Sequence, residues 1–72
     1  MKQAIINLGW IFYGTCPCNG YGEKYKKNGK TYRVQIYPRI GRFSIINQFD
    51  TVVKSGYAYE LTQIVSDYEK YN

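Results

Sequence analysis

The sequence predicts a mainly β domain of the α+β class, with five short antiparallel strands in a meander followed by one C-terminal helix. Three observations predict it. Asn28-Gly29 sits between two runs of alternating residues, as in a two-residue type I′ hairpin turn, whose two central positions both need positive φ. Pro38-Arg39-Ile40-Gly41 sits between two more such runs, with Pro supplying its fixed φ and Gly the left-handed position of a four-residue loop. After Gly56 the apolar period changes to that of a helix.

Taken in order, residues 3–14, QAIINLGWIFYG, read as the first strand. Gly9 and the aromatic, β-branched run after it favour extended structure over a short helix at Gln3–Leu8. Ile6, Leu8, Trp10 and Phe12 form its expected core face, with Trp10 the largest core residue. Residues 15–22, TCPCNGYG, are dense in turn formers and read as a loop.

Strands at 21–27 and 30–37 then form the Asn-Gly hairpin, which sets Lys27 opposite Lys30, Tyr25 opposite Tyr32 and Lys24 opposite Arg33. A strand at 42–47 pairs Tyr37 with Arg42, Ile36 with Phe43 and Val34 with Ile45. Because side chains alternate across a strand, Tyr32, Val34, Ile36, Phe43 and Ile45 share one apolar side. The other side collects Lys24, Lys26, Thr31, Arg33, Gln35, Tyr37, Arg42 and Ser44.

Residues 51–55 return as a short strand that Gly56 breaks. A helix is expected at 57–70, where Tyr57, Leu61, Ile64, Val65 and Tyr68 fall on one face that has to dock on the sheet. No clean capping box marks its start. The meander either stays an open sheet or closes into a small barrel of the SH3-like or OB-like kind.

With 72 residues the chain is a single domain, near the lower limit for a core that holds itself together unaided. At 44% hydrophobic and 18% aromatic it is too apolar to be a disordered chain. Abundant Lys, Asn, Ile and Tyr is what an AT-rich genome encodes, and it points to a phage or mobile-element accessory protein. No stretch is long and apolar enough to span a membrane. The apolar start is interrupted at Asn7 and Gly9 and lacks a small-x-small cleavage site. The expected location is therefore the cytoplasm, that of the host or a virion if the chain is phage-encoded.

Enzyme chemistry finds little to work with, and the expectation is a non-enzymatic protein. The chain has no His, and its five carboxylates are scattered. Ser44, Ser55 and Ser66 have no evident base. No strand, Gly-rich loop and helix follow one another to hold a phosphate. Cys16-Pro17-Cys18 has one residue between its thiols, where zinc sites and redox motifs commonly have two. It reads first as a tight turn with two small thiols, so no cofactor is expected. Zinc enters only if Cys16 and Cys18 of two chains combine.

The charge is the better lead. The net charge is +5, and from Glu23 to Arg42 seven basic residues meet one acid, a local balance of +6. In the expected register like charges oppose each other twice in one hairpin, which is mildly destabilising unless an anion lies over them. Lys24, Lys26, Lys27, Lys30, Arg33, Tyr37, Arg39 and Arg42 are thus the candidate contacts for nucleic acid or another anionic partner. Tyr21, Tyr25, Tyr32 and Tyr37 are the rings that could stack on bases. The alternative is a structural or adaptor subunit whose basic, Tyr-rich surface docks on a larger protein assembly, as in a virion component or a binder of a host protein. Lys on strands has a third use, since it also blunts sheet edges against aggregation.

Overall fold

Alternation of apolar residues along the middle strands builds one buried layer, and everything else is placed relative to it. A computed structural model describes residues 1–72. Its order is α1 (Lys2–Asn7), β1 (Ile11–Cys16), β2 (Gly22–Lys26), β3 (Arg33–Tyr37), β4 (Arg42–Ile46), β5 (Val52–Tyr57) and α2 (Leu61–Tyr71). The five strands form one antiparallel meander, with each strand beside its sequence neighbour. The sheet is not closed into a barrel, and β1 and β5 are its edges. No helix is long and apolar enough to cross a membrane.

Tyr25, Val34, Ile36, Phe43 and Ile45 are fully buried on the inner face, under Ile5 of α1 and Leu61 and Val65 of α2. Tyr32 sits among them, 5.6 Å from the Trp10 ring and 4.7 Å from that of Tyr68 between centroids.

The β3–β4 register is the expected one, with Tyr37 opposite Arg42, Ile36 opposite Phe43 and Val34 opposite Ile45. The β2–β3 register is not. Lys24 faces Gln35 and Tyr25 faces Val34, a slip of two residues from the expected pairs. The turn still lies at Asn28-Gly29, closed by the Lys30 N–H on the Lys27 carbonyl at 3.1 Å, but only Gly29 takes positive φ, so it is not type I′. The strands stop early, at Lys26 and Arg33, because the residues between them are used elsewhere. Lys27 reaches the Glu69 carboxylate and the Leu8 carbonyl, both at 2.8 Å, while Tyr32 turns into the core. A two-residue slip preserves the side each residue faces, so the apolar layer survives it.

The expected first strand is half helix. Residues Lys2–Asn7 form α1, and the strand begins only at Ile11. Gly9, at φ 93°, ends the helix in the left-handed conformation that a Cβ would strain. Its N–H donates to the Ile6 carbonyl and that of Trp10 to the Ile5 carbonyl, the paired bonds of a Schellman cap. Ile5 and Trp10 both join the core cluster, the apolar pairing that often accompanies this motif, whereas Ile6 and Phe12, expected inside, are 42% and 47% exposed.

Gly56 does not break β5 but lies within it. A Cβ there would stand 2.9 Å from Ile64 Cδ1 and 3.2 Å from the Phe43 ring, so its absence lets α2 close onto the sheet. Tyr57 is accordingly the last residue of β5 rather than the first of the helix. Ala58–Glu60 make a 3-10 turn, and the Glu60 carboxylate accepts the Tyr57 N–H at 3.0 Å. The acidic half of a capping box is thus present without a Ser or Thr to announce it.

Candidate functional site

Strand alternation and register place the rows of the outer face. Lys24, Gln35, Ser44 and Ser55 lie abreast across β2 to β5, with Tyr37, Arg42 and Tyr57 in the next row. Lys26 and Arg33 stand toward the other end of β2 and β3. Neither α1 nor α2 covers this side, but the Cys16–Gly22 segment, with a 3-10 turn at Cys18–Gly20, lies against its centre and buries Gln35 and Tyr37. The cations of this face are held on β2, β3 and β4, opposite the layer that carries Glu60 in the 3-10 turn before α2 and Asp67 and Glu69 on α2. Asp50, in the β4–β5 turn, is the acid on the outer side, 3.0 Å from Arg33 Nη1 and itself well exposed.

The rings that accompany these cations are not the expected ones. Tyr25, Tyr32 and Tyr37 are buried, and Tyr21 donates to the buried Glu23 carboxylate at 2.8 Å. The second Glu23 oxygen accepts the Tyr25 hydroxyl at 2.9 Å, and burial followed by this bond holds that hydroxyl well above the ordinary tyrosine range. Tyr13 and Tyr57 take their place. A bulge between Phe12 and Gly14 turns Tyr13 toward β2, where the Lys24 and Lys26 ammonium groups lie 5.2 and 5.5 Å from its ring centre. At the other end the Arg42 guanidinium sits 4.5 Å over the Tyr57 ring, and Tyr59 stacks parallel to Tyr57 at 6.1 Å. Tyr57 is 50% exposed and Tyr59 85%. Their location depends on a bulge and on a strand continuing through Gly56, neither of which local alternation reveals.

Two depressions mark the face. One, of about 310 Å³, is lined by Tyr13, Lys26, Lys30, Arg33, Asn47 and Gln48. The other, of about 330 Å³, includes Asn19, Arg42, Ser44 and Ser55.

Of the eight predicted contacts, the outer face brings together Lys24, Lys26, Arg33 and Arg42, with Lys30 at its rim. Arg39 is exposed in the β3–β4 loop, its side chain lying along Gly20. Tyr37 is only 7% exposed and packs under the Cys16–Gly22 segment. Lys27 is committed to the other layer. Its ammonium pairs with Glu69, whose second oxygen accepts the Trp10 indole N–H at 2.8 Å. Burial pushes the Glu69 carboxyl up, but the bonds from Lys27 and Trp10 together outweigh it and leave the pKa below its ordinary value. Of the two like-charge pairs that the expected register implied, Lys24–Arg33 is absent, since Lys24 faces Gln35, while Lys27 and Lys30 still flank the turn with the Lys27 ammonium drawn off to Glu69. The case for an anionic partner rests on one-sided charge and exposed rings instead.

Cys16 and Cys18 are free thiols, both half-buried at this same face. Gln35 Nε2 lies 3.7 Å from Cys16 Sγ, 4.0 Å from Cys18 Sγ and 3.1 Å from the Tyr37 hydroxyl. Gln35 is 5% exposed, and its carbonyl oxygen accepts the Arg33 Nε–H at 2.8 Å. Burial, then contact with Cys18, raises the Cys16 thiol pKa. No group of three or more His, Cys, Asp or Glu side chains is arranged to hold a metal ion.

No protein family, curated protein or solved structure matches this chain.

Proposed function

We propose that the outer face of the sheet binds single-stranded nucleic acid. The observation that carries this reading is the joint placement of four cations, Lys24, Lys26, Arg33 and Arg42, with the rings of Tyr13 and Tyr57 on the one face that neither α-helix covers. Phosphates would meet the cations, and bases would stack on rings whose faces already attract positive charge. Single strands suit the site better than a duplex. Stacking needs splayed bases, and the outer face presents no α-helix to enter a major groove. The protein acts by binding and not by catalysis.

The test is a salt titration of binding to labelled single- and double-stranded DNA and RNA oligomers. Micromolar or tighter binding to single strands is expected at low salt. It should weaken with a log–log slope near −3, since each of four phosphate contacts adds about 0.7. No binding at low salt overturns the reading.

A second reading, an adaptor subunit docking on a larger protein assembly, has its own observation. The edge strand β1 exposes Ile11, Phe12 and Tyr13, carries no charge between Ile11 and Cys16, and has one open hydrogen-bonding side.

A further inference from the structure

The feature that nucleic-acid binding leaves unused is the pair of thiols beside a buried amide. We propose that Cys16 and Cys18 form a two-coordinate site for a soft monovalent d¹⁰ cation, copper(I) by chemical class, with Gln35 supporting the sulfurs. This inference does not rest on the nucleic-acid reading.

Pro17, at φ −77° and ψ 10°, turns the chain between the end of β1 and the following 3-10 turn. The turn brings both sulfurs within 4.0 Å of one nitrogen, Gln35 Nε2. That amide cannot face the other way. Its oxygen is held by Arg33 Nε–H at 2.8 Å, and a guanidinium only donates, so the NH₂ is the end presented to the sulfurs. N–H groups aimed at sulfur stabilise thiolate charge and orient the ligands, as outer-shell partners do in metal sites.

The donor set selects the ion. The cluster offers two thiol sulfurs with no His and no carboxylate, and the chain's other sulfur, that of Met1, packs against the core. Zinc asks for four ligands and hard cations for oxygen, whereas soft thiolates select copper(I) among physiological ions. The reaction balances as M⁺ plus two R–SH giving [M(SR)₂]⁻ plus two H⁺. Two S–H bonds break, two M–S bonds form, and no electron is transferred. The complex gains one negative charge, and the Lys24 ammonium, whose charge acts on Cys16, is placed to offset it. Both thiols are partly exposed, so the ion has an entry path.

The full chain, reduced and under argon, is titrated against copper(I) held by the coloured chelator bicinchoninate. One ion per chain is expected, with the protein still monomeric by sedimentation. Cys16→Ser and Cys18→Ser should each abolish uptake. Gln35→Leu should keep the stoichiometry and weaken affinity about 10–100-fold. A measurement on the unaltered chain covers the case in which a variant fails to fold: silver(I) nitrate should release two protons per ion in weakly buffered solution. The proposal is overturned if the wild-type chain takes up no more copper(I) than a Cys16→Ser/Cys18→Ser chain. Release of fewer than two protons per ion overturns it as well, as does zinc(II) uptake at one ion per two chains with dimerisation.

Discussion

The two faces of the sheet are cut from the same strands, residue by residue in alternation, yet they are held by different physics. On the inner face Tyr25, Val34, Ile36, Phe43 and Ile45 lose all contact with water beneath two helices. The hydrophobic effect is non-directional, so that face needs only apolar residues of the right parity and tolerates a two-residue slip in pairing. On the outer face order comes from directional bonds, a chain running from Asp50 through Arg33 and Gln35 to Tyr37 and the two thiols. Here a slip would matter, because each donor must meet its own acceptor. Burial makes the domain, and the hydrogen-bonded face gives it something to present.

The largest expected effect tests the inner face. Leu61 is fully buried at the start of α2, in the cluster that joins both helices to the sheet. Leu61→Ala should lower the unfolding free energy by roughly 2–5 kcal/mol through the lost transfer term and the cavity left behind. Chemical denaturation reads this directly. A change under about 0.5 kcal/mol, the size of a surface substitution, would mean that α2 is not docked as described.

A smaller effect probes the one place where the inner face breaks its own rule. The Tyr32 hydroxyl is buried without a hydrogen-bond partner. Tyr32→Phe removes the unsatisfied group and keeps the ring against Trp10 and Tyr68, so stability at pH 7 should rise by about 1 kcal/mol. The same substitution has a pH signature. Burial first, then the charge of Glu69, pushes the Tyr32 hydroxyl up to about 12 from 10.0. The folded state therefore keeps this proton where the unfolded state has lost it. Tyr32's contribution is fully present below pH 10 and is lost as pH rises toward 12. The alkaline fall in stability should be shallower in Tyr32→Phe. An equal fall in both proteins, or a loss of stability at pH 7, would show that the hydroxyl has a partner.

How far all this was legible follows from which contacts are local. The β3–β4 register could be read because Pro38 and Gly41 each restrict the loop that sets it. The β2–β3 register could not, because Lys27 is drawn to Glu69, 42 residues away, and Tyr32 to Trp10 and Tyr68. The N-terminal helix hid behind Gly9, a residue that equally interrupts a strand or caps a helix. What decides between these is the burial of Ile5 and Trp10 together in the core. The site divides the same way. Lys24, Lys26, Arg33 and Arg42 could be placed by parity alone, whereas Tyr13 needed its bulge and Tyr57 a strand carried through Gly56. Gln35 looked like one more polar residue in an alternating strand, since nothing local says that Cys16 and Cys18 fold back over it.

The smallest expected effect on the fold carries the sharpest contrast between the faces. Lys26 and Arg42 stand at opposite ends of the outer face, each against an exposed ring, and neither takes part in the bonds that hold Gln35. Arg33 would be the poorer choice, because reversing its charge would also release that amide. Lys26→Glu with Arg42→Glu should change stability by less than about 0.5 kcal/mol, as surface substitutions do. Binding to a single-stranded oligomer should fall by more than about 100-fold at low salt. Two phosphate contacts are lost and two repulsions gained, and the residual salt slope should drop by roughly 1.4. Unchanged unfolding with abolished binding would show that the outer face serves recognition and the inner face stability. Unchanged binding would move the anionic partner off this face altogether, and loss of folding would mean that the two faces are not separable in the way their chemistry implies.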